Sequence, residues 1–352
     1  VRQIHRLHKK NHNRIQITTV CRKIGIMSMC TILALSASGC GKKNQILTLT
    51  NVSYDPTREF YEEYNQLFAK QYEETHGEPI RVIQSHGGSG AQARSVVEGS
   101  NADVVTLALE HDISLIEHTG LIESGWVDEF DKDSAPYTST IVFLVRKGNP
   151  KNIRDWNDLI QDNVDVITPD PKSSGGACWN YLAALSYAQE QYHDASKEQD
   201  FLKKLYENVS VMDSGARGST TTFVENGKGD VLVAWENEAI TTMQSYPGMY
   251  EMITPSVSIL AQPSVAIVDD NVGMNHTQDA AKEYLTYLYS TDAQKLAAQF
   301  GYRPTDEAVL QEYANVFDLH VKLTTIDDFG GWDNAYAVYF DDGALFDKMY
   351  NE

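Results

Sequence analysis

Three short stretches of the chain combine serine hydroxyls with glycine backbone: residues 86–90 (His86-Gly87-Gly88-Ser89-Gly90), 173–176 (Ser173-Ser174-Gly175-Gly176) and 214–218 (Ser214-Gly215-Ala216-Arg217-Gly218). Each follows a β-like run and precedes a helical pattern. The first N–H groups of a helix have no partner within it and carry partial positive charge. Glycine lets that backbone approach a ligand closely, and serine adds a hydroxyl donor. Together these are the parts of an anion cradle. The same residues also suit an N-capped helix with a flexible lead-in. Recurrence separates the two readings: in open α/β sheets ligands bind beyond the carboxyl ends of strands, and all three stretches sit there. One shared anion therefore explains them better than three separate sites. No Gly-Lys-Ser/Thr follows any of them, so none is a nucleotide-binding P-loop. Gly87-Gly88-Ser89-Gly90-Ala91 lacks the last glycine of a hydrolase nucleophile elbow.

The neighbouring side chains are read with two meanings each. Lys172 and Arg217 lie beside the loops and could neutralise an anion, or form structural ion pairs at a solvated rim. Asp55 is awkward, because a carboxylate repels a dianion unless only its backbone N–H faces inward or the ligand carries a proton. Trp235 ends a strand, and its indole N–H is a donor with no acceptor of its own; a buried tryptophan at a strand end is equally a core residue. The seven histidines from His76 onward show no metal spacing with each other or with cysteine. Asp269-Asp270, Asp327-Asp328 and Asp341-Asp342 read as solvated turns, and no base is placed to activate Ser89 or Ser174. No cofactor is called for.

The elements that must position these loops alternate. Strand-like runs at 46–50, 80–83 and 103–107 are separated by helical patterns at about 57–72 and 91–98, which argues for a parallel sheet covered by helices. Residues 51–57 read as a turn. The stretch 133–137 has turn composition and reads as a crossing, after which 141–145 is the strongest strand in the chain. A second α/β series follows: 164–167 leads to the 173–176 loop and a helix at 181–191, 209–211 to the 214–218 loop and a helix from 219, and 231–234 to Trp235. Apolar runs at 258–260 and 264–268 read as the return crossing. The remainder is helical, at 280–289, 292–300 and 306–313.

The chain has 352 residues and a formal net charge of −20. The first 39 residues hold seven of the 29 Lys/Arg and none of the 49 acidic residues, so 22 basic residues face 49 acidic ones in the remainder. Such a surface excludes nucleic acid and anionic lipid as partners. An anion bound here would have to be held by local dipoles. Arg22 and Lys23 precede an apolar run at 24–37 that ends in small residues before Cys40, the pattern of an export signal. The expected organisation is a signal peptide at 1–39 and a polar tether at 40–45. Small residues followed by Cys40 resemble a lipobox, which implies lipid on that cysteine. Cys178 is then the one cysteine in the folded body, and a helix beginning near Ala177 would bury it.

Several long motifs in order resemble the periplasmic sulfate-binding proteins of ABC transporters. They are Asn51-Val52-Ser53-Tyr54-Asp55-Pro56-Thr57-Arg58, the 84–90 stretch Gln84-Ser85-His86-Gly87-Gly88-Ser89-Gly90, Ala102-Asp103-Val104-Val105-Thr106-Leu107-Ala108, Ser134-Ala135-Pro136-Tyr137-Thr138-Ser139-Thr140, Ser173-Ser174-Gly175-Gly176, Asp213-Ser214-Gly215-Ala216-Arg217-Gly218 and Ala234-Trp235-Glu236-Asn237-Glu238, with Phe329-Gly330-Gly331-Trp332 near the end. The resemblance implies an α/β, two-lobed periplasmic-binding-protein-like fold of type II. Each lobe would be a mostly parallel sheet flanked by helices, with the ligand in the interlobe cleft. It assigns 46–137 plus 258–352 to one lobe and 138–257 to the other. Carried onto matching positions, it implies backbone donors at Asp55, Ser89, Gly175, Gly176 and Ala216, the hydroxyl of Ser174 and the indole of Trp235. Asp55 thus becomes a backbone donor. Cys178 stands where similar proteins usually have Arg, which removes a cation near the site. The implied function is capture of sulfate, with thiosulfate as a further ligand, by a monomer held outside the membrane by lipid on Cys40. The ligand would pass to the permease and ATPase subunits of an ABC transporter, and no bond would be made or broken. The alternatives are another tetrahedral oxyanion, phosphate or molybdate, and a serine-dependent hydrolase or sulfotransferase.

Overall fold

The computed structural model describes residues 46–351; the expected signal segment, the tether and Cys40 lie outside them. The first sheet begins with β1 (Leu47–Tyr54), followed by α1 (Arg58–His76), β2 (Ile80–Gly87), α2 (Ser89–Val97), β3 (Val104–Leu107) and α3 (Glu110–Glu117). A short turn, α4 (Asp131–Ser134), and β4 (Tyr137–Thr138) lead to β5 (Ile141–Arg146). The second sheet adds β6 (Val166–Pro169), α5 (Gly175–Tyr192), α6 (Ala195–Glu207), β7 (Val209–Asp213), α7 (Ala216–Val224), β8 (Val231–Trp235), α8 (Glu236–Ser245) and β9 (Tyr250–Ile253). The chain returns through β10 (Val257–Ile259) and β11 (Ser264–Ile267) to α9 (Asp269–Asn275), α10 (Gln278–Tyr287), α11 (Thr291–Gln299), β12 (Arg303–Pro304) and α12 (Glu307–Glu312). It ends in β13 (Lys322–Thr324), α13 (Gly331–Ala335) and α14 (Leu345–Asn351).

The first sheet has the order β11-β3-β1-β2 and the second β7-β6-β8-β5-β9. β1 runs parallel to β2 and β3, and β6 runs parallel to β7 and β8; β11, β5 and β9 pair antiparallel. Both faces of each sheet are covered, as parallel pairing with helical crossovers requires. In β5 the alternation is direct: Ile141, Phe143 and Val145 enter the core shared with α5 and α6, while Val142 and Leu144 enter the core shared with Phe223 of α7 and Ala239 of α8. Leu49 packs with Phe60, Tyr64 and Phe68 of α1, and Val52 faces the opposite core with Ala93 and Ile113.

The two stretches read as crossings lie side by side. Ser139 and Ala261 exchange N–H···O bonds of 2.9 Å in both directions, and Thr140 donates its hydroxyl to Ser258 Oγ at 2.8 Å. Two expectations differ from the structure. The 51–54 segment is strand, not turn. Its polar residues are buried yet satisfied across the sheet: Asn51 Nδ2 donates to the Tyr284 hydroxyl, and Ser53 Oγ donates to the Thr106 carbonyl. The C-terminal segment, expected with the first sheet, joins the second: Phe329, Trp332, Phe340 and Phe346 share the core of Trp179 and Tyr181. Trp332 meets Trp179 edge-on with ring centroids 4.7 Å apart. Aromatic burial, which no periodicity in this loop-rich segment advertised, decides its placement.

A buried bidentate pair ties α8 to β12: Arg303 Nε and Nη2 donate to Glu236 at 2.6 and 2.9 Å. Burial pushes the Glu236 carboxyl up, and Arg303 pulls against that. Arg303→Met is expected to strand this carboxylate and cost about 3–5 kcal/mol in chemical denaturation, whereas adding Glu236→Met should restore most of the loss.

Candidate anion-binding site

The three loops and the end of β1 converge on one small cleft. Its walls are Tyr54, Asp55 and Pro56 at the end of β1, Gly87, Gly88 and Ser89 at the end of β2, Ser174 and Gly176 after β6, and Gly215 and Ala216 after β7. All four lie at the carboxyl ends of parallel strands, two from each sheet, which is where an open α/β sheet presents its ligand site.

What the strands deliver there is helix starts. Asp55 opens a one-turn 3₁₀ segment (Asp55–Thr57) that runs into α1; Ser89 is the first residue of α2, Gly175 and Gly176 are the first two of α5, and Ala216 is the first of α7. Sequence reading starts these helices later, at 91, 177–181 and 219. Glycine and serine are poor helix formers, yet tertiary packing draws them into the first turn. None of the four N-cap positions (Tyr54, Gly88, Ser174 and Gly215) uses its side chain to cap. By contrast, Asp194, Ser290 and Asp306 close α6, α11 and α12 with side-chain oxygens. Four uncapped starts, each with partial positive charge, thus face a common space.

The serines divide their work. Ser89 Oγ donates to the Asp112 carboxylate and accepts the Ala108 N–H at 3.0 Å, so its side chain is occupied behind the wall and its backbone remains for the cleft. The buried Ser174 hydroxyl makes no capping bond and stands beside Gly176 at the cleft. Two glycines permit the close approach of the sheets. A methyl at Gly88 would meet the Ser173 carbonyl oxygen at 3.0 Å, and one at Gly175 would meet Leu109 Cγ at 2.9 Å.

The charged residues are engaged elsewhere. Asp55 turns its carboxylate to Arg58 at 2.9 Å. Arg217 donates to Glu59 at 2.7 Å, joining α7 to α1. Burial pushes Glu59 up, but the Arg217 hydrogen bond and charge outweigh it and hold the carboxyl below its usual range. Lys172 binds Asp342 at 3.1 Å, Asp347 at 3.2 Å and the Phe340 carbonyl at 2.9 Å. Both cations beside the loops are therefore structural ion pairs. His86 is neutral: burial, then the charge of Arg58, lowers it to about 4.

Of the residues read from sequence, the structure brings Asp55, Ser89, Ser174, Gly176 and Ala216 to the cleft wall, with Gly175 one residue earlier in the same helical turn. Trp235 stands behind the wall, and its indole N–H donates to the Gly176 carbonyl at 3.0 Å. Two residues were missed. Glu59 carries no motif. Asp112 is buried in α3, and its signal was available: an acid in phase with Leu109 and Ile116 on an apolar helix face.

A profile of the family described as bacterial extracellular solute-binding protein matches residues 49–303. With the fold and the uncapped cleft, this places the chain among the bacterial extracellular solute-binding proteins, and within them the chain belongs to the periplasmic sulfate-binding protein family. It is 53% identical to the sulfate-binding protein of Escherichia coli (strain K12) over 91% of this chain and 97% of that protein. It is 41% identical to the thiosulfate-binding protein of Pseudomonas aeruginosa, over the same 91% and 97%. Among solved structures, the sulfate-binding protein SubI from Mycobacterium tuberculosis H37Rv superposes with a TM-score of 0.76 at 35% identity, covering 84% of this chain and 100% of that one.

Gly88 has φ −59°, a conformation open to any residue. Gly88→Ala should therefore fold normally but hold the loops of the two sheets apart. The expected result is anion binding weakened about tenfold in calorimetry, near 1.4 kcal/mol, with an unchanged circular dichroism spectrum.

Proposed function

We propose that this protein captures sulfate, and thiosulfate as a second ligand, outside the cytoplasmic membrane and passes it to the permease and ATPase subunits of an ABC transporter. The observation that carries this reading is the cleft of four helix starts that no side chain caps. Backbone N–H groups of Asp55, Ser89, Gly175, Gly176 and Ala216 and the Ser174 hydroxyl form the donor set. Trp235 belongs to it with a double role. Its indole already holds the Gly176 carbonyl, so it positions the peptide at the cleft and shares or exchanges that bond when an anion enters.

Selectivity follows from an all-donor wall. Sulfate is fully ionised at neutral pH and asks for donors alone. Phosphate retains a proton, and an O–H set against backbone N–H donors stays unpaired at a cost of about 1–3 kcal/mol. Asp55, the carboxylate nearest the cleft, has its Oδ1 engaged by Arg58 at 2.9 Å. Molybdate has the same shape and charge as sulfate and is distinguished by size alone.

Binding without chemistry fits the serines. Ser174 stands at the cleft beside Gly176, and Ser89 is buried behind the wall on Asp112. Capture proceeds by closure of the two lobes over the ligand. The protein acts as a monomer, anchored by lipid on Cys40. No helix among the described residues is long and apolar enough to cross a membrane. In this reading the lipid on Cys40 is the attachment, and Cys40→Ser should release the protein from membrane fractions.

Calorimetry against sulfate, thiosulfate and phosphate tests the reading: sulfate should bind most tightly, and a preference for phosphate overturns it. Ser174→Ala removes a hydrogen bond to a charged ligand and should cost about 1.5–3 kcal/mol of affinity. Sulfate should also change the intrinsic fluorescence in a way that disappears in Trp235→Phe.

A further inference from the structure

Behind the cleft wall lies a second small space, a cavity of about 10 Å³. The end of β8 closes one side of it, and Asn180 of α5, Ala216 and Ser219 of α7 and Glu238 of α8 line the others. Ala216 also lines the anion cleft, so the two spaces share a wall. A cavity of this size has room for one water molecule.

Two of the lining side chains carry polar atoms that no protein group satisfies. Asn180 is 3% exposed and Ser219 0%. The Asn180 amide nitrogen donates to Thr168 Oγ1 at 3.0 Å and to the Val233 carbonyl at 3.1 Å. A carbonyl only accepts, so these bonds fix which end of the amide is nitrogen. The other end, Oδ1, is buried without a partner among the described residues, and so is Ser219 Oγ. An apolar cavity stays dry, but orphaned polar atoms call for water. One water supplies what both lack: a donor for Asn180 Oδ1, and a donor or an acceptor for the Ser219 hydroxyl. The Glu238 carboxyl, which takes the Thr220 hydroxyl at 2.7 Å, is a third partner. A metal cation is the other occupant that oxygens hold, and it favours a charged carboxylate. Burial instead pushes Glu238 up toward its neutral form, against the pull of Arg217 and Thr220.

We infer that this cavity binds one water molecule, held by Asn180, Ser219 and Glu238, and that the water fixes α7 against α5 behind the cleft. Asn180 lies in the second turn of α5, whose first residues are Gly175 and Gly176. Ser219 lies one turn after Ala216, the first residue of α7. A bridge between them sets the spacing of two helix starts whose N–H groups belong to the donor wall. It completes from behind what the Trp235 indole does from β8 by holding the Gly176 carbonyl. Asn180 and Ser219 are thus positioning residues, acting on the ligand through the backbone of Gly176 and Ala216. The water itself needs no ligand; its effect on affinity rests on the reading of the cleft as a sulfate site.

The experiment is a high-resolution crystal structure of the full chain, with and without sulfate, joined to calorimetry. One solvent peak is expected in both crystals, about 2.7–3.2 Å from Asn180 Oδ1 and from Ser219 Oγ. An empty cavity overturns the inference, and so does a peak that is present only when the buffer contains sodium. These wild-type maps decide the site without any variant. Ser219→Ala removes one partner of the water from a helix that tolerates alanine. It should weaken or abolish the peak and weaken sulfate binding about fivefold, with an unchanged circular dichroism spectrum. A sulfate Kd unchanged in Ser219→Ala, with only the unfolding midpoint lowered, makes the hydroxyl a matter of stability alone and overturns the coupling to the cleft. Absence of sulfate binding in the wild type, with the water in place, overturns the reading of the cleft and the coupling with it, and leaves the water site standing.

Discussion

A strongly acidic protein that captures a dianion cannot rely on net charge, and here the two cations beside the loops, Lys172 and Arg217, are already paired with carboxylates. The constraint is to gather enough positive potential from neutral groups. Helix starts supply it, because their first N–H groups lack intrahelical partners and the field of the peptide dipoles ends there. Such starts act on a ligand only if nothing inside the protein satisfies them first. The uncapped positions at Tyr54, Gly88, Ser174 and Gly215 meet that condition. The wall of the cleft is thus built as much by withheld caps as by placed donors.

The rest of the fold serves this arrangement. Two sheets present the carboxyl ends of parallel strands to one space, and paired crossings at Ser139 and Ala261 hold the register between them. Glycines at Gly88 and Gly175 let the loops approach to contact distance. Every nearby charge is diverted: Asp55 to Arg58, Arg217 to Glu59, Lys172 to the C-terminal segment. These pairs keep side-chain charges from competing with the dipoles. Glu59–Arg217 also spans the cleft's two sides, linking α1 to α7. Asp112 differs from these: it is a buried carboxylate that accepts the Ser89 hydroxyl behind the start of α2.

Much of this was legible in the chain. The strand–loop–helix handovers at 86–90, 173–176 and 214–218 were visible as composition, and their recurrence pointed to one anion. The helix starts were misplaced because glycine and serine signal loops when read locally. Packing against the facing sheet gives Ser89, Gly175 and Gly176 helical conformations that propensity alone disfavours. Asn51 and Ser53 were read as turn for a similar reason. Their polarity is balanced by partners 233 and 53 residues away, Tyr284 and Thr106, that no local window contains.

What the sequence determined by itself was the inventory: alternating α and β elements, serine and glycine at strand ends, an acidic surface, and motifs that resemble one family. These depend on residue type and near-neighbour spacing, which a linear chain carries in full. Tertiary structure decided which donors face the cleft and which are spent. It turned the Ser89 hydroxyl away onto Asp112, set the Trp235 indole on Gly176, paired Arg217 and Lys172 off, and carried the C-terminal aromatics to the second sheet. The reason is physical: a donor's role depends on which acceptor reaches it first, and those acceptors come from elements far apart in the chain.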